Sequence, residues 1–148
     1  MRSARDQCGI TDSQTMLNIF VYGTLRAGET NDIRHAAARY GLAEPRLIGF
    51  ASMRGKLYDF GRYPGLVVGD TGIPVIGEVY EIERDLVPIL DEIEQVYPGV
   101  GGLFVGRDVR LQVTGESMIC RFYPVTAPSV QGAAEIAGGD WVARRLSR

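Results

Sequence analysis

The stretch NIFVYGTLRAGE, Asn18 to Glu29, carries a short apolar run into a turn with two glycines. Leu17 to Tyr22 is rich in strand formers and too short for a helix, so it reads as a buried strand. A strand that runs into Gly-Thr-Leu and then toward a helix exposes successive backbone N–H groups at its carboxyl end. Such groups can hold a carboxylate or a developing oxyanion without a charged side chain. Gly23 would let a ligand approach, having no Cβ. An ordinary surface turn would produce the same letters, and the rest of the chain has to decide.

At 148 residues the chain fits one domain. Gly is the outlier, 19 residues where about 7% is usual, so tight turns and close backbone approaches are expected. A net charge of −2 and a pI near 5.4, with no Lys/Arg block, argue against nucleic acid, which needs a concentrated basic face. No apolar run approaches the roughly 20 residues that cross a bilayer. The N-terminal MRSARDQCGITDSQT lacks the apolar core of a secretory signal. Cys8 and Cys120, with no CxxC spacing, make neither a disulfide framework nor a zinc site. The expectation is a cytoplasmic chain with reduced thiols and no membrane partner.

Residues 1–16 are polar and aperiodic and read as a flexible leader, leaving 17–148 as a single domain. Asn31 to Tyr40 carries helix formers, with Asn31 placed to cap it. Arg46 to Phe60, with Gly49 and Gly55, reads as a bent or bulged strand pair. Further strands are expected at Leu66 to Val68 and at Pro74 to Ile82, where Gly77 marks a bulge or close approach. Leu103 to Val113 and Met118 to Val125 flank a Thr114-Gly115-Glu116 turn, a hairpin signal. The clearest helix is Leu86 to Glu94, capped by Asp85. Together these predict an α+β fold, a small mixed β-barrel of about six strands with flanking helices.

That helix carries a candidate acid–base group. Leu86, Ile89, Leu90 and Ile93 form one apolar stripe, and Asp85, Asp91, Glu92 and Gln95 project to the opposite side. Glu94 lands between Leu90 and Val87, on the shoulder of the apolar face. A carboxylate there loses hydration, which raises its pKa and suits it to take and return a proton near neutrality. A boundary Glu reaching to water is the plainer alternative. His35, the one histidine, reads as a surface or packing residue, and no HExxH, GxGxxG or phosphate-loop motif supports a metal or nucleotide.

Taken in order, Phe20-Val21-Tyr22-Gly23-Thr24-Leu25, Tyr63-Pro64-Gly65, Gly77-Glu78-Val79-Tyr80, Leu90-Asp91-Glu92-Ile93-Glu94 and Gly139-Asp140-Trp141 resemble the γ-glutamylcyclotransferase-like family. That family includes the γ-glutamylamine cyclotransferases and the AIG2-like proteins, and the likeness runs over about residues 18–142. The resemblance implies a mixed β-barrel and a transferase or lyase-type cyclisation. In it the α-amine of a γ-glutamyl group attacks its own γ-carbonyl, releasing an amine and 5-oxoproline. It implies Glu94 as the catalytic carboxylate, with Tyr22, Gly23, Thr24 and Leu25 cradling the substrate. The chemistry needs no metal or cofactor, and the partner is a small γ-glutamyl molecule, with the protein a monomer or homodimer.

One departure is visible. Relatives often carry a Tyr-x-Arg on the strand after the catalytic Glu, whereas this chain has Phe104 and Gly106, with the arginine absent or shifted to Arg107. The insertion Tyr97 to Gly102 also lengthens the approach to that strand. Retention of Glu94 favours an enzyme, while loss of the Tyr-x-Arg pattern favours a non-catalytic module that binds a small carboxylate. Nothing in the sequence speaks for a third reading, a self-associating structural protein.

Overall fold

The computed structural model describes residues 16–70, 73–96 and 104–147. The elements run β1 (Met16–Val21), α1 (Ile33–Arg39), β2 (Arg46–Met53), β3 (Gly55–Asp59), β4 (Pro64–Val68), β5 (Val75–Glu83), α2 (Val87–Val96), β6 (Arg107–Val113), β7 (Glu116–Phe122), β8 (Ala134–Glu135) and α3 (Trp141–Leu146). Eight strands therefore stand among the described residues where about six were expected. β8, two residues long, was not expected, while β2 and β3, separating at Arg54, are the strand pair read over Arg46 to Phe60.

Five strands form a sheet in the order β2-β5-β1-β7-β6, and three form a second in the order β4-β3-β8. The first sheet is mixed, because β1 runs parallel to β7 and antiparallel to β5. Its edges, β2 and β6, approach one another, so the sheet curls into a half-barrel. A register shift between Leu47 and Gly49 supplies the expected bulge in β2. At Gly77 an added Cβ would fall 2.3 Å from the Val21 carbonyl oxygen, a close approach rather than a bulge.

Burial explains why β1 is apolar without alternation. Ile19 and Val21 join a core with Ile33, Ala36 and Ala37 of α1 and Leu90 of α2. Phe20 and Tyr22, pointing the other way, join a core with Leu57 of β3, Leu66 of β4, Val113 of β6 and Trp141 of α3. A strand covered on both faces reads as a continuous hydrophobic run.

Several local expectations shift. Asp32, not Asn31, caps α1, its carboxylate accepting from the Arg34 N–H. The chain enters α2 through a 3-10 turn, Arg84–Leu86, which contains Asp85 rather than being capped by it. The β6–β7 hairpin closes through Thr114 and Gly115, with φ of 49° and 86°, and Val113 pairs Glu116. Met16, placed in the leader, opens β1. The remainder of the expected leader and the Tyr97 to Gly102 insertion lie outside the described residues.

Candidate active site

β1 ends at Val21, and the chain turns through Tyr22 to Asp32 into α1. Internal hydrogen bonds give this loop its shape. The Gly23 carbonyl accepts from the Arg26 N–H at 3.0 Å, that of Thr24 from Asn31 at 2.9 Å, and that of Leu25 from Ile33 at 3.0 Å. The Thr24 hydroxyl also accepts from Asn31 Nδ2, 3.2 Å away. The loop's carbonyls are thus turned inward and partnered. The N–H groups of Gly23, Thr24 and Leu25 donate to nothing among the described residues, although all three residues are buried. Buried backbone donors are nearly always paired, so three in succession mark a place built to receive an acceptor.

Side chains from distant strands brace the loop. Glu78 accepts from Arg26 Nε and from the Ala27 N–H, both at 3.0 Å, and from the Tyr80 hydroxyl at 2.9 Å. Asp140 accepts from Arg26 Nη1 at 3.0 Å and from the Ala143 N–H, so one carboxylate holds the loop and caps α3. Glu29, nearly enclosed, accepts from Trp141 Nε1 at 3.0 Å and pairs with Arg145 at 2.6 Å. The separated motifs of the sequence, Gly77 to Tyr80 and Gly139 to Trp141, therefore converge on the first one. Sequence reasoning placed no role on Arg26, Glu29, Glu78 or Asp140. Their signal was available, since four charged residues lie inside or beside motif pieces.

Two sequence expectations for the loop change in detail. A Cβ on Gly23 would fall 2.6 Å from Pro64 Cγ, so the absent side chain makes room for the proline ring rather than for a ligand. The Tyr22 hydroxyl donates to the Tyr123 carbonyl at 2.6 Å and accepts from the Leu66 N–H at 3.1 Å, tying the end of β1 to the end of β7 and the middle of β4. Burial, and then the charge of Glu94, push its pKa upward, so the phenol stays protonated.

A narrow pocket lies between this loop and α2. Its walls include Tyr22, Gly23, Thr24 and Leu25, with Tyr63 and Pro64 before and in β4, Phe104, Tyr123 and Glu94. The structure thus brings every sequence-selected site residue to one place. Glu94 is partly buried there, and no hydrogen bond or cation reaches its carboxyl group among the described residues. Its pKa is pushed up to about 8, chiefly by loss of hydration and then by the negative charge of Asp91. A pKa in that range suits the group to exchange a proton near neutrality.

Asp91 projects to the solvent side as expected, its side chain 39% exposed, and there it accepts from Arg121 Nη2 at 2.8 Å and from the Tyr123 hydroxyl at 2.5 Å, partners that periodicity does not display. Glu92 is exposed as expected. His35 is exposed on α1 and stands outside the pocket wall. No group of three or more His, Cys, Asp or Glu side chains gathers among the described residues.

A sequence profile described as Gamma-glutamyl cyclotransferase, AIG2-like matches residues 19–143. The chain belongs to that family. It is 34% identical over 99 residues to the Gamma-glutamylaminecyclotransferase of Bos taurus, a match covering 59% of this chain and 54% of the relative. It is 40% identical over 86 residues to the Gamma-L-glutamyl-butirosin B gamma-glutamyl cyclotransferase of Niallia circulans, covering 57% and 50%. The chain spans about half the length of these curated relatives. The fold is similar to that of an AIG2-like protein from Mus musculus, with a TM-score of 0.66 at 25% identity over 80% of this chain and 84% of that one. YkqA from Bacillus subtilis gives a TM-score of 0.65 at 25% identity, covering 89% and 42%. The cyclotransferase-family fold expected from the sequence is the fold observed. No helix among the described residues is long and apolar enough to cross a membrane.

Proposed function

We propose that the chain cyclises a γ-glutamyl substrate, releasing 5-oxoproline and a free amine or amino acid, with Glu94 carrying the protons. The observation that supports this reading most is the meeting, in one pocket, of a carboxyl group of raised pKa and three backbone donors, none of which has a partner among the described residues. The substrate's α-ammonium gives a proton to the Glu94 carboxylate, and the freed nitrogen attacks the γ-carbonyl carbon. A C–N bond forms, the bond to the leaving nitrogen breaks, and the carbonyl oxygen carries negative charge in between. Donors at Gly23, Thr24 and Leu25 suit a carboxylate or that oxyanion. One ammonium proton stays as the lactam N–H, one reaches the leaving nitrogen through Glu94, and the third protonates the released amine or passes to water.

The energetics suit so spare a site. Closing a five-membered ring is intramolecular, and well-placed intramolecular reactions gain about 7–11 kcal/mol over encounter from solution. A positioned acid–base group adds roughly 10²–10⁴-fold. The same reading includes a cytoplasmic setting, a monomer or homodimer, and no cofactor.

The test is a panel of γ-glutamyl-amines, γ-glutamyl dipeptides and glutathione, followed for 5-oxoproline by mass spectrometry. Accumulation matched by the departing amine supports the reading. Binding without release across the panel makes the chain a small-carboxylate-binding member of the fold.

A further inference from the structure

Phe104, buried at the pocket, is followed two residues on by Gly106 and then by Arg107, which is exposed on β6. A guanidinium nevertheless stands beside Gly106. A Cβ built there would fall 2.2 Å from Arg121 Nη2 and 2.5 Å from its Cζ, so the guanidinium packs directly against position 106 and a side chain there would have to displace it. Arg121 comes from β7, a different strand.

Its other contacts meet at the carboxylate one helical turn before Glu94. Arg121 and Tyr123 are two residues apart and so share a face at the end of β7. The guanidinium donates to Asp91 Oδ1 at 2.8 Å and to the Tyr123 hydroxyl at 3.3 Å, and lies 5.3 Å from the Tyr123 ring centre. Tyr123 donates to the same Asp91 oxygen. Asp91 and Glu94, at i and i+3, are neighbours on the surface of α2. One side chain therefore touches the helix bearing Glu94, the strand bearing Tyr123, and the segment that brings Phe104 to the pocket. Phe104 in turn meets Tyr63 edge-on, with ring centres 5.8 Å apart.

We propose that Arg121 is a positioning residue for the cyclisation, holding Asp91, Tyr123 and the Gly106 backbone so that α2 presents Glu94 to the pocket, and balancing the Asp91 charge beside it. The proposal rests on the assignment of Glu94 as proton carrier. The titratable and charged groups around Glu94 are Tyr22 at the end of β1, Tyr63 before β4, Tyr123 and Arg121 of the β7 segment, and Asp91 on its own helix. Asp108 of β6 lies opposite Arg121 in register. Arg121 is the cation of this set, and its removal leaves Asp91 uncompensated next to Glu94. A planar donor that reaches Asp91 through Nη2 and Tyr123 through Nε at once also fixes orientation in a way an ammonium does not.

The experiment compares wild type, R121Q, R121K, D91N and E94Q by kcat, KM and pH–rate profile, with the Glu94 carboxyl titration followed by ¹³C NMR. R121Q is expected to lose roughly tenfold or more in kcat with KM little changed, since small misplacement of a reacting group is costly. The Glu94 midpoint and the acid limb should move to higher pH in R121Q and to lower pH in D91N, by roughly half a unit or more. R121K should restore the midpoint but not the rate. Wild-type kcat and an unmoved Glu94 midpoint in R121Q would overturn the proposal, as would full rescue of rate by R121K. If R121Q does not fold, the opposite displacement in D91N and the split in R121K decide. E94Q separates the two readings: normal turnover in E94Q removes the Glu94 assignment, whereas an inactive E94Q beside a normal R121Q removes only the role of Arg121.

Discussion

Arg26 and Glu78, 52 residues apart in the chain, meet in a 3.0 Å ion pair whose side chains are 9% and 8% exposed. The pair is the brace between the β1–α1 loop and β5, and Asp140 and the Ala27 N–H complete its hydrogen bonding. Removing one member of a buried pair costs about 3–5 kcal/mol when the other charge is left alone. Without Glu78, Asp140 still partners Arg26, while the Ala27 N–H and the Tyr80 hydroxyl lose their acceptor, so the low end of that range applies. Glu78→Ala is therefore expected to lower stability by about that amount and to loosen the loop. Urea unfolding gives the first, and amide exchange at Gly23 to Leu25 gives the second. Stability within about 1 kcal/mol of wild type would show that the brace is incidental.

The contact between Gly23 and Pro64 makes a sharper, local prediction. An alanine methyl would sit 2.6 Å from Pro64 Cγ, and overpacking of this kind costs about 1–3 kcal/mol. Gly23→Ala should destabilise the protein by that much and displace the loop or the ring. A crystal structure of the variant with both unmoved would contradict the packing argument.

Glu94 should also leave a signature in stability against pH. Its pKa is raised from 4.5 to about 8, so the native state holds a proton that the unfolded chain releases. Stability from this group is fully present below pH 4.5 and is lost progressively as pH rises toward 8. Gln cannot ionise, so E94Q should match wild type near pH 4.5 and become the more stable protein by pH 9. Thermal melts across that range measure the difference. A gap that stays constant with pH would mean that Glu94 titrates as an ordinary surface carboxylate.

The N–H groups of Gly23, Thr24 and Leu25, without acceptors among the described residues, should bind an anion before any chemistry. In a ¹⁵N-labelled sample, 5-oxoproline is expected to shift the amide signals of Gly23, Thr24 and Leu25 together, in a saturable way. Shifts confined to Arg62 or Arg107 would make the loop an ordinary turn.

Much of this was legible in the sequence because the signals were local. The unbroken apolar run of β1, the Thr114-Gly115 hairpin, and the place of Glu94 between Leu90 and Val87 each follow from neighbours a few residues apart. What escaped was set by distance. Helical periodicity places Asp91 on the partly exposed side where it stands, but cannot show Arg121 and Tyr123 reaching it from the β7 segment. Gly23 was assigned to ligand access, but Pro64 occupies the space, and that contact exists only once β4 is folded. β8 was missed because two residues, Ala134 and Glu135, carry no periodicity. Partners from other elements decide such residues, and a single chain read along its length does not display them.

The most direct measurement is the initial rate of 5-oxoproline release by wild type, E94Q and E92Q on the best γ-glutamyl substrate of the panel. Gln is nearly isosteric with Glu and cannot take the ammonium proton, so it separates protonation from shape. Glu92, exposed on the same helix, serves as the control. E94Q is expected to keep its fold and ligand affinity while turnover falls at least about a hundredfold, with E92Q close to wild type. Equal turnover by wild type and E94Q would contradict the assignment of Glu94, and no 5-oxoproline from wild type would contradict the cyclisation itself.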